Sequence, residues 1–280
     1  VTNMATARTL LITGVSSGFG RALAQEALAR GNRVVGTVRN AQVLREFEML
    51  SPGTAVGRVL DVTHFDAIDG VVADIEETVG PIDVLINNAG YGHEGILEES
   101  PLAEMQQQFA VNVFGAVAMM KAVLPYMRRR RRGHILNITS MGGYITLPGI
   151  AYYCGSKFAL EGISETLGKE VASLGIAITA VAPGSFRTDW AGRSMARTPR
   201  SIPDYDALFD PIRATRQEKS GKQLGDPAKA AKAMLDVIDS PSPPAHLLLG
   251  SDALGLVRQK LSDLTAEINQ WESVSRSTDG

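Results

Sequence analysis

Short β-branched apolar runs alternate along this chain with longer stretches of helical periodicity. The apolar runs cover residues 9–13, 33–38, 55–60, 82–86, 134–139, 176–181 and 246–249. Helical patterns fill 18–30, 41–50, 65–79, 101–131, 151–174 and 227–238. Strands that are apolar nearly end to end imply burial on both faces, hence a parallel sheet with helices on each side. Right-handed crossovers make such a sheet doubly wound. The pattern predicts a single-domain α/β Rossmann-type fold over 1–271, with seven parallel strands in the order 3-2-1-4-5-6-7. Residues 272–280 are polar and lack apolar periodicity, so a flexible tail is expected. The connection 184–225 is long and carries Phe186, Trp190, Tyr205 and Phe209 among polar residues. It is expected to form a lid over an apolar ligand, or a helical insertion whose aromatics pack on the core.

Composition narrows the function classes. The chain has 280 residues, is 44% hydrophobic and carries a formal charge of −2. That balance gives no global attraction for nucleic acid or anionic membrane. No apolar run reaches the length of a membrane span, and residues 1–7 lack a signal pattern, so a cytoplasmic protein is expected. One cysteine, Cys154, excludes an internal disulfide and reads as a small buried side chain. The four histidines show no metal-ligand spacing, and no metal is expected. The arginine run 128–132 closes a predicted helix, where cations offset the dipole and need no partner. Gly133 is expected to stop that helix.

Chemistry enters at three places. Thr13, Gly14, Ser16, Ser17, Gly18, Phe19 and Gly20 follow the first apolar run and open the first helical pattern. Glycines there allow a tight turn and close backbone approach to a pyrophosphate, which the helix N-terminus then faces. Tyr153 and Lys157 stand one helical turn apart and project from one face. A nearby lysine cation favours phenolate, so this tyrosine is expected to have a lowered pKa and to exchange protons with an alcohol. Tyr152 is read as packing. Ser140 ends the fifth predicted strand, alongside Gly14, 88–90 and Pro183 at the ends of others. In an open parallel sheet these carboxyl ends form the ligand edge. Ser140 also suits a simple turn cap.

With these residues the chain resembles the short-chain dehydrogenase/reductase family over nearly all its length to about residue 190. The glycine motif runs from Thr13 to Gly20, and Asn87, Asn88, Ala89 and Gly90 match the N-N-A-G motif. Asn112 matches the helix asparagine, Ser140, Tyr153 and Lys157 the catalytic serine and Y-x-x-x-K, and Pro183 with Gly184 the P-G before Thr188. The resemblance implies that Tyr153 is the general acid/base and that Lys157 lowers its pKa and binds the nicotinamide ribose. By the same resemblance Ser140 holds the substrate oxygen, and Asn112 supports a water that relays protons to Lys157. It further implies that Asp61 and Val62 flank adenine, Asn88 to Gly90 the adenosine ribose side, and Pro183 to Thr188 with Phe186 the nicotinamide. The helices 101–131 and 151–174 carry Met119, Met120, Phe158, Leu160 and Ile163 beyond one face. By resemblance they pair copies into a homodimer or homotetramer.

Cofactor and substrate can be read further. An NAD site wants a carboxylate about twenty residues beyond the glycines, an NADP site an arginine. No acidic residue lies between Glu26 and Glu46, and Val38 precedes Arg39. NADP(H) is therefore expected, with NAD(H) the alternative. Tyr91, Met141, Gly142, Tyr144 and Trp190 are expected to line a substrate pocket without a cation cluster. That suits a hydrophobic carbonyl or alcohol, as does a similarity of residues 87–92 and 183–189 to the 17β-hydroxysteroid and retinol dehydrogenase-like branch. The competing reading is a catalytically silent dinucleotide sensor on the same fold.

Overall fold

Alternation within the first strand sets the two layers around the sheet. All of β1 (Thr9–Thr13) is buried. Leu10 and Ile12 join one apolar cluster and Leu11 joins the other, because successive side chains leave opposite faces. The computed structural model describes residues 7–188, 190, 192 and 194–280; residues 1–6, expected to open the domain, lie outside them. The remaining strands are β2 (Arg33–Val38), β3 (Ala55–Val59), β4 (Val84–Asn87), β5 (Gly92–Glu94), β6 (Gly133–Ile138), β7 (Ile176–Pro183), β8 (Met195–Arg197) and β9 (His246–Leu249). Seven of them form one sheet in the order β3-β2-β1-β4-β6-β7-β9, every pair parallel. This is the expected doubly wound order. β5 and β8 make a separate parallel pair, Gly92 opposite Met195, that sequence periodicity does not reveal.

The helices are α1 (Gly18–Ala29), α2 (Ala41–Glu48), α3 (Phe65–Thr78), α4 (Leu102–Phe109), α5 (Ala116–Arg130), α6 (Ala151–Val171), α7 (Asp206–Glu218), α8 (Pro227–Ile238), α9 (Ser251–Gln270) and α10 (Glu272–Arg276). Leu23 and Ala27 of α1, Phe47 of α2 and Met234 and Leu235 of α8 cover one face. Ile68, Val72 and Ile75 of α3 and Met119 and Val123 of α5 cover the other. Each such large side chain, fully buried, contributes about 1.5–3 kcal/mol. Met119, Met120 and Leu160, expected on an outward face, are instead in the core, whereas Phe158 is exposed. The two methionines pack into the apolar cluster on that face of the sheet.

The expected continuous helix 101–131 is interrupted by a π-helical turn, Ala110–Gly115, that carries Asn112. Counted through this turn, Leu102–Arg130 is long and apolar enough to cross a membrane, contrary to the sequence reading; it passes that test as a helix packed on the sheet. Gly133 does not cap the helix. Arg131 takes the left-handed conformation (φ 55°), and Gly133 starts β6 beneath Met127. Within the chain Arg130 binds Glu76, Arg132 binds Asp83 and Arg131 donates to the Ser173 carbonyl, so the run is tied to its own fold. α9 was not anticipated, since its apolar stripe is narrow. Residues 272–280, expected to fray, begin with the exposed turn of α10.

Candidate active site

The glycine loop is fixed by backbone geometry. Gly14 has φ +73° and donates from its N–H to the Thr37 carbonyl at 3.1 Å. A Cβ at Gly20 would lie 2.1 Å from the Gly14 carbonyl oxygen, so only glycine fits where α1 passes the loop. Asn88 Nδ2 donates to the carbonyls of Thr13 and Gly14 at 3.0 and 2.9 Å. The Thr13 hydroxyl accepts from the N–H groups of Asn88 and Ala89. Asn88 therefore splints the loop to the end of β4.

This loop borders a cavity of about 1020 Å³. Its wall includes Gly14, Ser16, Ser17, Gly18, Phe19, Arg39, Asp61, Val62, Asn88, Ala89 and Gly90. Across from them stand Tyr91, Ser140, Met141, Gly142, Tyr153, Lys157, Pro183, Gly184, Phe186, Thr188 and Trp190. The topology thus gathers nearly every expected site residue. Gly20 is the packing glycine beneath the loop rather than part of the wall. Tyr144 turns away: its hydroxyl donates to Glu161 (2.9 Å) and meets His246 Nδ1 (2.7 Å). A buried carboxylate on α6 captures it, so it is not a pocket residue.

A dinucleotide fits this cavity. α1 starts with neither a side-chain cap nor a first-turn carboxylate. Its first N–H groups therefore have no intrahelical acceptor, and its positive end favours an anion. At the far end burial pushes the Asp61 carboxyl up, but hydrogen bonds from the Thr63 N–H and hydroxyl outweigh it. The charges of His64 and Arg39 add to them, so Asp61 titrates below its ordinary range.

At the other end the chemical groups converge. Ser140 caps a single 3-10 turn, its Oγ accepting from the Gly142 N–H at 3.0 Å, and it stands beside Tyr153. Trp190 packs on Tyr153 with ring centroids 5.1 Å apart. Lys157 Nζ donates to the Ile138 carbonyl at 2.9 Å and sits 5.6 Å from the Tyr153 ring centre. Burial pushes the Tyr153 phenol up to about 12, and the neighbouring Ser140 and Trp190 offset it only in part. Burial likewise brings Lys157 down to about 8, against the pull of Glu161. The expected lowering of the phenol by Lys157 is thus not what this structure holds: desolvation dominates both groups. Tyr153 is therefore protonated near neutral pH, and burial makes it a weaker acid than a free phenol.

Asn112 acts through its neighbours. Its Oδ1 accepts from the Tyr91 N–H at 3.1 Å, and its Nδ2 donates to the Tyr91 carbonyl (3.1 Å) and Ser156 Oγ (3.2 Å). Ser156 in turn donates to the Tyr153 carbonyl at 2.7 Å. The amide braces the segment after β4 against α6. The π turn lets it point there, as such turns commonly do at functional sites.

The sequence reading missed part of the wall. Ile145, Leu147 and Ile150 line the cavity between Ser140 and Tyr153 in the chain, and that position could have signalled them. Arg216, Lys219 and Lys222 also reach it, so the pocket does meet cations, contrary to expectation. Asp252 accepts from the Ser185 N–H at 2.7 Å and fixes the turn after β7. Cys154 lines the cavity but is buried, and burial raises its thiol.

A family profile described as short chain dehydrogenase matches residues 8–198. The chain belongs to the short-chain dehydrogenase family. It is therefore an NAD(P)-dependent oxidoreductase, and its cofactor is a nicotinamide dinucleotide. It is 37% identical over 265 residues to oxidoreductase BOA17 of Botryotinia fuckeliana, covering 94% of this chain and 96% of that one. It is 38% identical over 247 residues to a 3-ketodihydrosphingosine reductase of Bacteroides thetaiotaomicron (86% and 87% covered). Human retinol dehydrogenase 8 is 38% identical over 251 residues (85% and 79% covered). Among solved structures, a short-chain dehydrogenase from Streptomyces avermitilis superposes with TM-score 0.92 at 40% identity, covering 98% of this chain and 99% of that one. A Burkholderia phymatum family member in complex with NAD gives TM-score 0.81 at 25% identity, with 93% and 95% covered. ElxO with NADP bound gives 0.73 at 25%, with 89% and 100% covered.

Proposed function

We propose that this enzyme is an NADP(H)-dependent dehydrogenase that interconverts a secondary alcohol and a ketone, or an alcohol and an aldehyde, on a hydrophobic substrate. The observation that carries the reading is the meeting of Ser140, Tyr153 and Lys157 on the wall opposite the glycine loop. The nicotinamide supplies or accepts the hydride. Ser140 Oγ holds the substrate oxygen beside Tyr153, and the neutral phenol delivers a proton to it during reduction. In oxidation the same oxygen returns the proton to tyrosinate. Lys157, buried beneath, holds the ribose end and stabilises tyrosinate when charged. Ser16, Ser17 and the α1 N-terminus hold the pyrophosphate, and Asp61 and Val62 hold adenine.

Arg39 supports NADP(H): it stands on the rim where Val38, buried, leaves no carboxylate for a ribose 2′-hydroxyl. Met141, Ile145, Leu147, Ile150, Trp190 and Met195 support an apolar substrate. The segment 184–225 serves as its lid, with Phe186 edge-on to Phe19 at 5.2 Å. Exposed Leu102, Phe114 and Phe158 on the α4 to α6 side support pairing of copies there, as a homodimer or homotetramer. A lone buried Cys154 suits a reducing, cytoplasmic setting.

The test is Tyr153→Phe. Turnover of aliphatic and aromatic ketones with NADPH falls about a thousandfold, the usual share of general acid catalysis. NADPH affinity, read by fluorescence titration, stays within a factor of three or so. Unchanged turnover rejects the mechanism. A wild-type chain that binds NADPH yet turns over no carbonyl in such a panel favours the sensor reading instead.

A further inference from the structure

The C-terminal helix ends in a surface that nothing described covers. α9 enters the body through Ala253 and Val257, both buried, and then leaves it; residues 258–280 are exposed throughout. A solvated helix is polar all round. This one carries Leu254, Leu261, Leu264, Ile268 and Trp271 in a single stripe that Val257 continues, with alternating steps of three and four residues. Their exposures run from 39% to 58%. Steps of three and four are the seam of a two-helix coil, and a helix this length gains most of its stability from such a contact.

The charges beside the stripe choose the occupant. Residues 251–280 hold five carboxylates (Asp252, Asp263, Glu267, Glu272 and Asp279) against three cations (Arg258, Lys260 and Arg276). An acidic segment is repelled by an anionic lipid surface, which instead recruits basic helices. Arg258 and Lys260 flank the stripe near the body, whereas Glu267 and Glu272 flank its outer half. A parallel partner of the same sequence would set like charges level. An antiparallel partner sets Lys260 of one copy against Glu267 of the other, about a two-fold axis near Leu264.

We propose that two copies of this chain pair through an antiparallel coil of their α9 helices, closed by Leu261, Leu264 and Ile268. This contact is independent of the cofactor and substrate reading, and its residues belong to α9 rather than to α4, α5 or α6. It is isologous, so taken by itself it joins two copies and is then satisfied.

Sedimentation of the full-length chain across a concentration series tests it. The double variant Leu261→Glu, Ile268→Glu halves the particle mass at micromolar protein and leaves kcat unchanged, since neither residue touches the cavity. Its affinity for self-association falls by roughly a hundredfold or more, as expected when a seam gains like charges. Lys260→Glu alone weakens pairing by about tenfold, and adding Glu267→Lys restores it. Trp271 emission shifts to the red on dilution of the wild type and is already shifted in the double variant. An unchanged mass in the double variant overturns the proposal, and a charge swap that fails to rescue overturns the antiparallel arrangement. Flotation of the wild type with phosphatidylcholine vesicles, lost in the double variant without any change of mass, assigns the stripe to a lipid surface instead and also overturns it.

Discussion

Two regions face each other across the same cavity and are held by different forces. The glycine loop is held by backbone groups: Gly14 to Thr37, Asn88 to Thr13 and Gly14, and the contact of Gly20 with the Gly14 carbonyl. The opposite segment, 184–225, is held by charges reaching across the fold. Glu94, wholly buried, meets Arg213 at 2.9 Å, Arg197 at 3.3 Å and Arg216. Glu99 accepts from the N–H groups of Ser201 and Ile202 and pairs with Arg200; these bonds, the Ser201 N–H foremost, hold its carboxyl down to about 2. Phe209 of α7 is buried, with the guanidinium groups of Arg200 and Arg213 over its ring. The cradle depends on which residues lack a side chain, and the segment across the cavity depends on which side chains carry charge. The first can serve any dinucleotide enzyme, whereas the second can be rebuilt to suit a substrate.

The largest test breaks the charged half. Glu94→Ala leaves three guanidinium groups around an empty site. Removing one partner of a buried ion pair costs about 3–5 kcal/mol. Thermal unfolding should shift down by roughly 10 °C, given about 2–4 °C per kcal/mol for a chain of this size. If the two regions are separable, KM for the carbonyl substrate rises while NADPH affinity does not move. Equal losses in both would show that the halves are coupled.

The mirror experiment breaks the cradle. Gly20→Ala forces a Cβ against a backbone oxygen and Asn88 Nδ2, at 2.1 and 2.5 Å. Loop and helix must part. A shift of this kind costs about 3 kcal/mol, or roughly a hundredfold in dinucleotide affinity. Isothermal titration with NADPH reads it, and an unchanged affinity would show that the close approach is not needed. The ion pairs of 184–225 stay intact.

This contrast explains what could be read from residue order alone. The strand order and the positions of Ser140, Tyr153 and Lys157 were legible because they follow local rules, namely apolar runs, glycine turns and helical spacing. Tyr144 was not, since only the fold brings Glu161 and His246 to its hydroxyl. Nor were the cations Arg216, Lys219 and Lys222, whose arrival at the cavity depends on Glu94 far back in the chain. The β5–β8 pair joins residues a hundred positions apart, so no periodicity announces it. The lowered tyrosine pKa failed for a related reason. Helical spacing places two groups near each other, but burial, which decides their titration, comes from everything packed around them.

A smaller effect sharpens cofactor choice. Arg39→Ala should weaken NADPH by about tenfold, roughly 1.4 kcal/mol, the scale of one exposed charge-assisted contact. NADH should change little. The ratio of kcat/KM for the two cofactors measures it. A parallel fall for both would mean that Arg39 grips adenine rather than the 2′-phosphate.

The smallest expected effect lies in stability against pH, and here the buried Lys157 and Tyr153 oppose each other. Lys157 titrates near 8 in the fold and near 10.5 when unfolded. Between those values the unfolded chain binds more protons, so stability rises with pH across that window. Tyr153 titrates near 12 in the fold and near 10 when unfolded. Above pH 10 the folded chain keeps the proton that the unfolded chain loses, so stability falls. Their sum should rise from pH 8 to about 10 and then turn over. Each unit of separation is worth at most about 1.4 kcal/mol, and water entering the cavity reduces it, so a gain of about 1 kcal/mol between pH 8 and 9 is expected. Urea unfolding at pH 7, 8, 9 and 10 measures the slope, and Lys157→Met should flatten the rise without removing the fall above pH 10. Were the wild-type slope already flat between 8 and 10, Lys157 would keep its charge in the fold through that window, and Tyr153 would keep its cationic neighbour at alkaline pH.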